Sequence, residues 1–128
     1  MADPLTDLLL DADEVDRARL AQGLADVLGI DKETGRIVLK PGYNDFDAAR
    51  KVLSFLLGAL AARLLGKRES EAVAPSEIQQ QTGMPKGTVN PKLSQLAQQR
   101  LVSKTPAGAY YVAPHQIEPA LDLVRGAD

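Results

Sequence analysis

The feature that most constrains the fold is an apolar segment, residues 44–66, with the sequence "NDFDAARKVLSFLLGALAARLLG". Its apolar centre runs only from Val52 to Ala62 between flanking basic residues, far short of the roughly 20 residues that cross a bilayer. A helix that is apolar on nearly all sides must be covered on several of them. The pattern therefore predicts a long buried central helix, with Asn44 or Asp45 as its cap and Gly66 as its end.

Small side chains recur at every fourth residue of this segment, at Ser54, Gly58 and Ala62. Such a stripe lets a second helix approach closely, so these three residues are predicted to form a homodimer interface. The alternative is that the amino-terminal helix and the carboxy-terminal domain cover the stripe within one chain.

Composition limits the number of cores, the kinds of partner and the kinds of metal site that this chain can have. With 128 residues and 45% apolar content, the chain can bury one core. A net charge of −2 gives no global positive field toward nucleic acid, and the charge divides unevenly: residues 1–66 carry −3 and residues 67–128 carry +1. The absence of cysteine excludes disulfides and thiolate zinc sites. The acidic start lacks the pattern of a secretory signal, so we expect a cytoplasmic protein.

The amino-terminal part, residues 1–66, is predicted to hold an arm, a helix from Asp13 to a stop at Gly29, and a hairpin turning at Lys32 to Gly35. With the central helix it forms the expected dimerisation region. The polar segment 67–74 is expected to be a hinge-like connector before a carboxy-terminal domain, residues 75–128.

That domain starts with two short helices. Ser76 is predicted to cap the first helix and Gly83 to end it. The second helix is predicted to begin at Val89, with Thr88 as its cap and Pro91 harmlessly in its first turn. Two apolar segments around "TPAG", residues 101–104 and 109–112, then predict a hairpin.

Residues 75–113, about a third of the chain, resemble a winged helix-turn-helix domain. The stretch "KGTVNPKLSQLAQQRLV" is similar to the recognition-helix segment of PadR-like and related prokaryotic regulators, where Gly-Thr, an early proline, spaced leucines and a final Leu-Val recur. Those regulators commonly place an acidic residue and glycine before Leu-Val, whereas this chain has Gln98, Gln99 and Arg100. The resemblance implies that the second helix enters a DNA major groove while the hairpin lies against an adjacent backbone or minor groove.

Amide and hydroxyl groups on the outer face of the second helix are the candidate base readers, because an amide offers a donor and an acceptor together. The predicted base contacts are Asn90, Ser94, Gln95 and Gln98. The predicted phosphate contacts are Ser76, Lys86, Thr88, Lys92 and Lys104. If the second helix continues to Arg100, its helical position places this side chain on the buried side of the helix.

The predicted fold is mostly α with small β: a winged helix-turn-helix joined to a helical region that carries a hairpin and the long central helix. The predicted function is a dimeric, sequence-specific regulator of transcription that binds double-stranded DNA. The alternative is a winged-helix adaptor that docks another protein. No enzyme, cofactor or metal is expected, because His115 is the sole histidine, the acids from Asp11 to Asp16 lack EF-hand spacing, and no nucleotide-binding glycine motif occurs.

Overall fold

The computed structural model describes residues 3–8 and 15–126. It is mostly helical with two small antiparallel hairpins, which confirms the predicted class of mostly α with small β. The helices are α1 (Arg17–Leu24), α2 (Ala48–Leu64), α3 (Pro75–Thr82), α4 (Lys86–Gln98) and α5 (Ile117–Val124). One hairpin pairs β1 (Leu28–Ile30) with β2 (Ile37–Leu39), and the other pairs β3 (Ser103–Lys104) with β4 (Tyr110–Tyr111). Short 3-10 helices cover Pro4–Leu8, Pro41–Asp45 and Pro114–Gln116.

Helix α2 is the centre of the molecule, as its apolar sequence predicts. Every residue from 52 to 60 is buried, and α2 packs against α1, α4, α5, the first hairpin and β4. The buried apolar residues form one cluster that extends from Leu20 to Val124. The parts of the chain before and after residue 67 therefore share a single core.

The ends of α2 are set locally. Asp47 caps the helix by accepting a hydrogen bond from the Arg50 backbone N–H at 2.9 Å, so the prediction of Asn44 or Asp45 as the cap is wrong. Those two residues belong to the preceding 3-10 helix, which delays the start of α2. Gly66 follows the last turn with a left-handed φ of 73°, which confirms the predicted stop.

The predicted dimer interface at Ser54, Gly58 and Ala62 is wrong. Ser54 and Ala62 are fully buried within one chain, and Gly58 lies under the first hairpin. A Cβ atom on Gly58 would lie 2.9 Å from a methyl carbon of Leu28 and 3.5 Å from one of Ile37. The stripe of small residues thus lets the first hairpin approach α2, and this hairpin of the same chain covers that side of the helix. The oligomeric state itself stays a prediction.

Helix α1 starts later and stops earlier than the sequence pattern suggests. Asp16 is the cap, accepting from the Arg19 backbone N–H at 3.1 Å, while residues 11–14 lie outside the described part of the chain. The helix ends at Leu24, and Gly29 lies inside β1, so the predicted stop at Gly29 is wrong. Strand pairing with β2 takes Gly29 into the sheet, opposite Val38.

The first hairpin is confirmed, and its turn is closed by one carboxylate. Asp31 accepts hydrogen bonds from the backbone N–H groups of Glu33 at 2.8 Å and Thr34 at 3.4 Å. These bonds stabilise the ionised form and lower the pKa of Asp31. Gly35 completes the turn with a φ of 76°.

The segment 67–74 is held in place at several points and does not form the expected hinge. The Arg68 guanidinium forms a two-bond ion pair with Glu77, at 2.8 and 2.9 Å, and also donates to the carbonyls of Ser70 and Ala72. Val73 is fully buried and exchanges two backbone hydrogen bonds with Tyr110, at 2.8 and 2.9 Å. These contacts fix the segment to α3 and to the second hairpin.

Candidate nucleic-acid interface

Helix α3 packs against α4. It begins at Pro75 after Ala74, which offers no side-chain cap, and its Ile78 side chain is fully buried. Ser76 lies in the first turn and is exposed, so the prediction that Ser76 caps the helix is wrong. Gly83 ends α3 with a φ of 76°, as predicted, and reverses the chain toward α4.

Helix α4 begins one turn earlier than predicted. Lys86 is its first residue and Pro85, with extended backbone angles, is its N-cap, so neither the start at Val89 nor the cap at Thr88 holds. Pro91 consequently lies inside the helix and cannot donate to the carbonyl of Gly87. Gly87 itself is exposed, and a side chain at this position would meet open space.

The two faces of α4 differ as the sequence predicts. Val89, Leu93 and Leu96 face the core and are at most 1% exposed. Ser94, Gln95 and Gln98 lie on the opposite, exposed face. Three of the four predicted base-reading side chains are therefore accessible on one rigid surface.

Asn90, the fourth predicted base reader, is half-buried. Its Oδ1 accepts a hydrogen bond from Nε2 of Gln79 on α3 at 3.4 Å. This contact uses only the oxygen of the Asn90 amide and leaves its NH2 group as a donor.

The end of α4 departs from the sequence-based expectation for Arg100. Its side chain is exposed, not turned inward, and its backbone has a left-handed φ of 62°. Two hydrogen bonds close the turn, from the Arg100 N–H to Ala97 O and from the Leu101 N–H to Leu96 O, both at 3.0 Å. This bonding is typical of a helix end with glycine at the left-handed position. Arginine thus takes a backbone conformation that glycine usually adopts at helix ends.

Gln116 supports this turn and was missed by sequence reasoning. It is 5% exposed, and its Nε2 donates to the carbonyl of Arg100 at 3.1 Å. Its Oε1 accepts from the Ser103 hydroxyl at 2.9 Å and from the Ala113 N–H at 3.0 Å. One amide therefore joins the end of α4, the start of β3 and the entry to α5. No local pattern indicates this role, because two of the partners are 13 and 16 residues away.

The second hairpin lies beside α4. The Thr105 hydroxyl oxygen accepts from the Ala109 N–H at 3.0 Å, and Gly108 turns the chain with a φ of 89°. Tyr110 packs into the core, while the Lys104 ammonium lies 5.7 Å from the centre of its ring. This cation–π contact holds an exposed positive charge at the base of the hairpin.

A cleft of about 230 Å³ separates α4 from the second hairpin. Its lining includes Asn90 and Ser94 from α4, and Lys104, Gly108 and Tyr110 from the hairpin. Two predicted base contacts and one predicted phosphate contact are thus brought together. Gln95 and Gln98 are not part of this lining.

The other predicted phosphate contacts surround this surface. Ser76 and Lys86 are exposed, near the starts of α3 and α4. Thr88 and Lys92 are half-buried, and the Lys92 ammonium donates to the Gln95 side-chain oxygen at 3.4 Å. Together with Lys104, all five predicted phosphate contacts lie on α3, α4 or the second hairpin.

The charge of this region is opposite to that of the whole chain. Residues 75–113 contain four basic residues, Lys86, Lys92, Arg100 and Lys104, and one acidic residue, Glu77, which is paired with Arg68. Subtracting these from the 15 basic and 17 acidic residues of the chain leaves 11 and 16 elsewhere, a net charge of −5. The segment that carries the exposed amides is therefore net positive because it contains few acidic residues, while its share of basic residues is close to that of the rest of the chain.

Within residues 3–8 and 15–126, no group of three or more His, Asp or Glu side chains is placed to hold a metal ion, and no helix is long and apolar enough to cross a membrane. His115 is exposed beside the start of α5.

No protein family model matches the chain, and no curated protein or solved structure is significantly similar to it.

Proposed function

We propose that this protein is a sequence-specific DNA-binding regulator of transcription that acts as a dimer through a winged helix-turn-helix. In this proposal α3 and α4 form the helix-turn-helix, α4 is the recognition helix and the β3–β4 hairpin is the wing. The observation that carries the proposal is the exposed Ser94, Gln95 and Gln98 face of α4, which lies in a segment with four basic residues and one paired acid. The proposal includes a cytoplasmic location in a prokaryote.

Base recognition follows from the chemistry of that face. An α-helix fits the major groove, where each base pair presents its own pattern of donors and acceptors. Gln95 and Gln98 are one turn apart on α4, so their amides face neighbouring base edges. Their helix is fixed by three core side chains, which prevents the amides from turning away.

Phosphate binding is assigned to the basic groups around the face. Lys86 at the start of α4 and Lys104 on the wing are both exposed and lie on different elements. Each phosphate contact contributes a slope of about −0.9 to the dependence of log K on log salt. Because one chain supplies few such contacts, a dimer that occupies two half-sites is part of the proposal.

The test is a selection from random duplexes followed by polarisation titrations of the selected duplex and a shuffled one. We expect the selected duplex to bind at least about 1,000-fold more tightly. Gln95→Ala and Gln98→Ala should each cost about 1–3 kcal/mol on the selected duplex and almost nothing on the shuffled one. Gln22→Ala, an exposed glutamine on α1, is the matched control.

A second titration series tests the phosphate contacts. Because the dimer carries two copies of Lys104, Lys104→Ala should reduce the magnitude of the salt slope by about 1.8, while Lys32→Ala, an exposed lysine in the first hairpin, should leave the slope unchanged. Equal affinity for selected and shuffled duplexes, with no effect of either glutamine substitution, would refute sequence-specific binding and leave the protein-docking alternative.

A further inference from the structure

The amino-terminal 3-10 helix Pro4–Leu8 presents two leucines that are mostly exposed. Leu5 is 66% exposed and Leu8 is 74% exposed, the highest values among the large apolar side chains of the described residues. Residues three apart in a 3-10 helix lie on the same side, so the two leucines form one apolar edge. Asp3 fixes this turn, because its carboxylate accepts from the Leu5 N–H at 2.9 Å. The arm therefore has a defined shape before any contact is made.

An apolar cleft lies where α1 meets the end of α2. It has a volume of about 110 Å³ and is lined by Arg17, Leu20, Ala21, Ala61, Leu64 and Leu65. Leu65 is 57% exposed at its rim. The one charged group of the lining, Arg17, donates to the carbonyl of Leu64 at 3.3 Å. The cleft offers an apolar floor with a positive charge at its edge.

We propose that Leu5 and Leu8 of one chain occupy this cleft on a second copy, and that the second copy returns its arm to the first. Charge favours this occupant, because the arm, residues 1–8, contains two acidic and no basic residues, whereas the cleft carries Arg17. Over residues 3–8 and 15–126 of one chain both features remain open, since the leucines are exposed and none of these residues fills the cleft. A reciprocal exchange buries both features in both copies and closes with two-fold symmetry.

In this proposal the dimer contact is formed by the exchanged arm and not by the stripe of small residues in α2. The cleft residues belong to α1, α2 and the residue that follows α2, so the amide face of α4 stays free. The arm exchange supplies the dimer that the proposed function uses. It is measured without DNA, so failure of either proposal is recognised separately.

Crosslinking gives the sharpest test, because the natural chain has no cysteine. Leu8→Cys and Leu65→Cys chains are mixed, oxidised and analysed on a non-reducing gel. The exchange predicts a disulfide-linked pair that contains one chain of each variant. Val38→Cys is the matched partner control, because Val38 is an exposed apolar residue on β2 and outside the cleft.

Two results would overturn the exchange. One is crosslinking of Leu8→Cys to Leu65→Cys that is no faster than to Val38→Cys. The other comes from a chain carrying both Leu8→Cys and Leu65→Cys: an internal disulfide in a chain of monomer mass would place the arm in its own cleft. The exchange instead requires a covalent dimer from this double variant.

Light scattering measures the same contact without crosslinking. The natural chain should show twice the mass of 13.7 kDa, and Leu5→Ser combined with Leu8→Ser should raise the dimer dissociation constant at least about 100-fold. Val38→Ser is the control and should keep the dimer mass. Since Leu5 and Leu8 contact no core, the double variant should fold like the natural chain by circular dichroism. A natural chain of monomer mass at every concentration sampled would overturn the proposal.

Discussion

Replacing Gln116 by leucine tests whether one buried amide stabilises the end of α4. The substitution removes three hydrogen bonds and keeps a similar side-chain volume. It leaves the Arg100 carbonyl and the Ala113 N–H without their partner. A net hydrogen bond contributes about 1 kcal/mol, and an unsatisfied buried group costs about 1–3 kcal/mol. We therefore expect the free energy of unfolding to fall by about 3 kcal/mol.

Urea and thermal denaturation, followed by circular dichroism, measure this loss. For a chain of this length, about 3 kcal/mol corresponds to a fall of about 10 °C in Tm. Gln22→Leu is the matched control, because Gln22 is exposed on α1 and should change stability by less than about 0.5 kcal/mol. If Gln116→Leu loses less than about 1 kcal/mol, the amide does not hold these three segments together and the reasoning is refuted.

Three further predictions concern the backbone and one titrating group. Arg100→Gly should raise the free energy of unfolding by about 0.5–1 kcal/mol, because glycine adopts the left-handed φ without strain, whereas Gln99→Gly, at a φ of −79°, should lower it. Gly58→Leu should destabilise the protein by about 3 kcal/mol or more through overpacking, and Gly87→Leu, with open space around it, should not. Asp31→Asn should reduce the loss of Tm at acid pH. The pKa of Asp31 is lower in the folded state than in the unfolded state, so the ionised carboxylate stabilises the fold fully above about pH 4. This stabilisation disappears as pH falls through the folded pKa.

Each of these three has a contrary result. Equal effects of glycine at 99 and 100 in urea denaturation would show that the left-handed turn carries no strain. Equal stability of Gly58→Leu and Gly87→Leu would contradict the burial of residue 58 beneath the hairpin. Parallel curves of Tm against pH for the natural chain and Asp31→Asn would show that the turn does not depend on this carboxylate.

The outward face of α4 could be predicted from the sequence because it depends on one local period. Leucine and valine at helical spacing fix one face inward, and the opposite face then carries Ser94, Gln95 and Gln98 whatever the exact start of the helix. The start itself was not predicted correctly. Both Pro85 and Pro91 lie near it, and only the packing of the helix decides that Pro85 precedes the first turn while Pro91 is tolerated inside it.

The role of the small stripe in α2 could not be read from spacing alone. A small residue at every fourth position permits close approach, but this spacing does not say whether the approaching element is another chain or a hairpin of the same chain. Gly58 and Leu28 are 30 residues apart, and their contact depends on how the first hairpin folds over the helix.

By itself, the sequence determined the elements whose causes are local: the buried helix α2, the stop at Gly83, both hairpins and the amide face of α4. Periodicity, caps and turn residues act over a few neighbouring positions, so they can be read in order along the chain. The tertiary structure alone decided the burial of Gly58, the left-handed Arg100 and the bridging amide of Gln116. These features depend on contacts between residues distant in sequence, whose free energy appears only when the core has assembled.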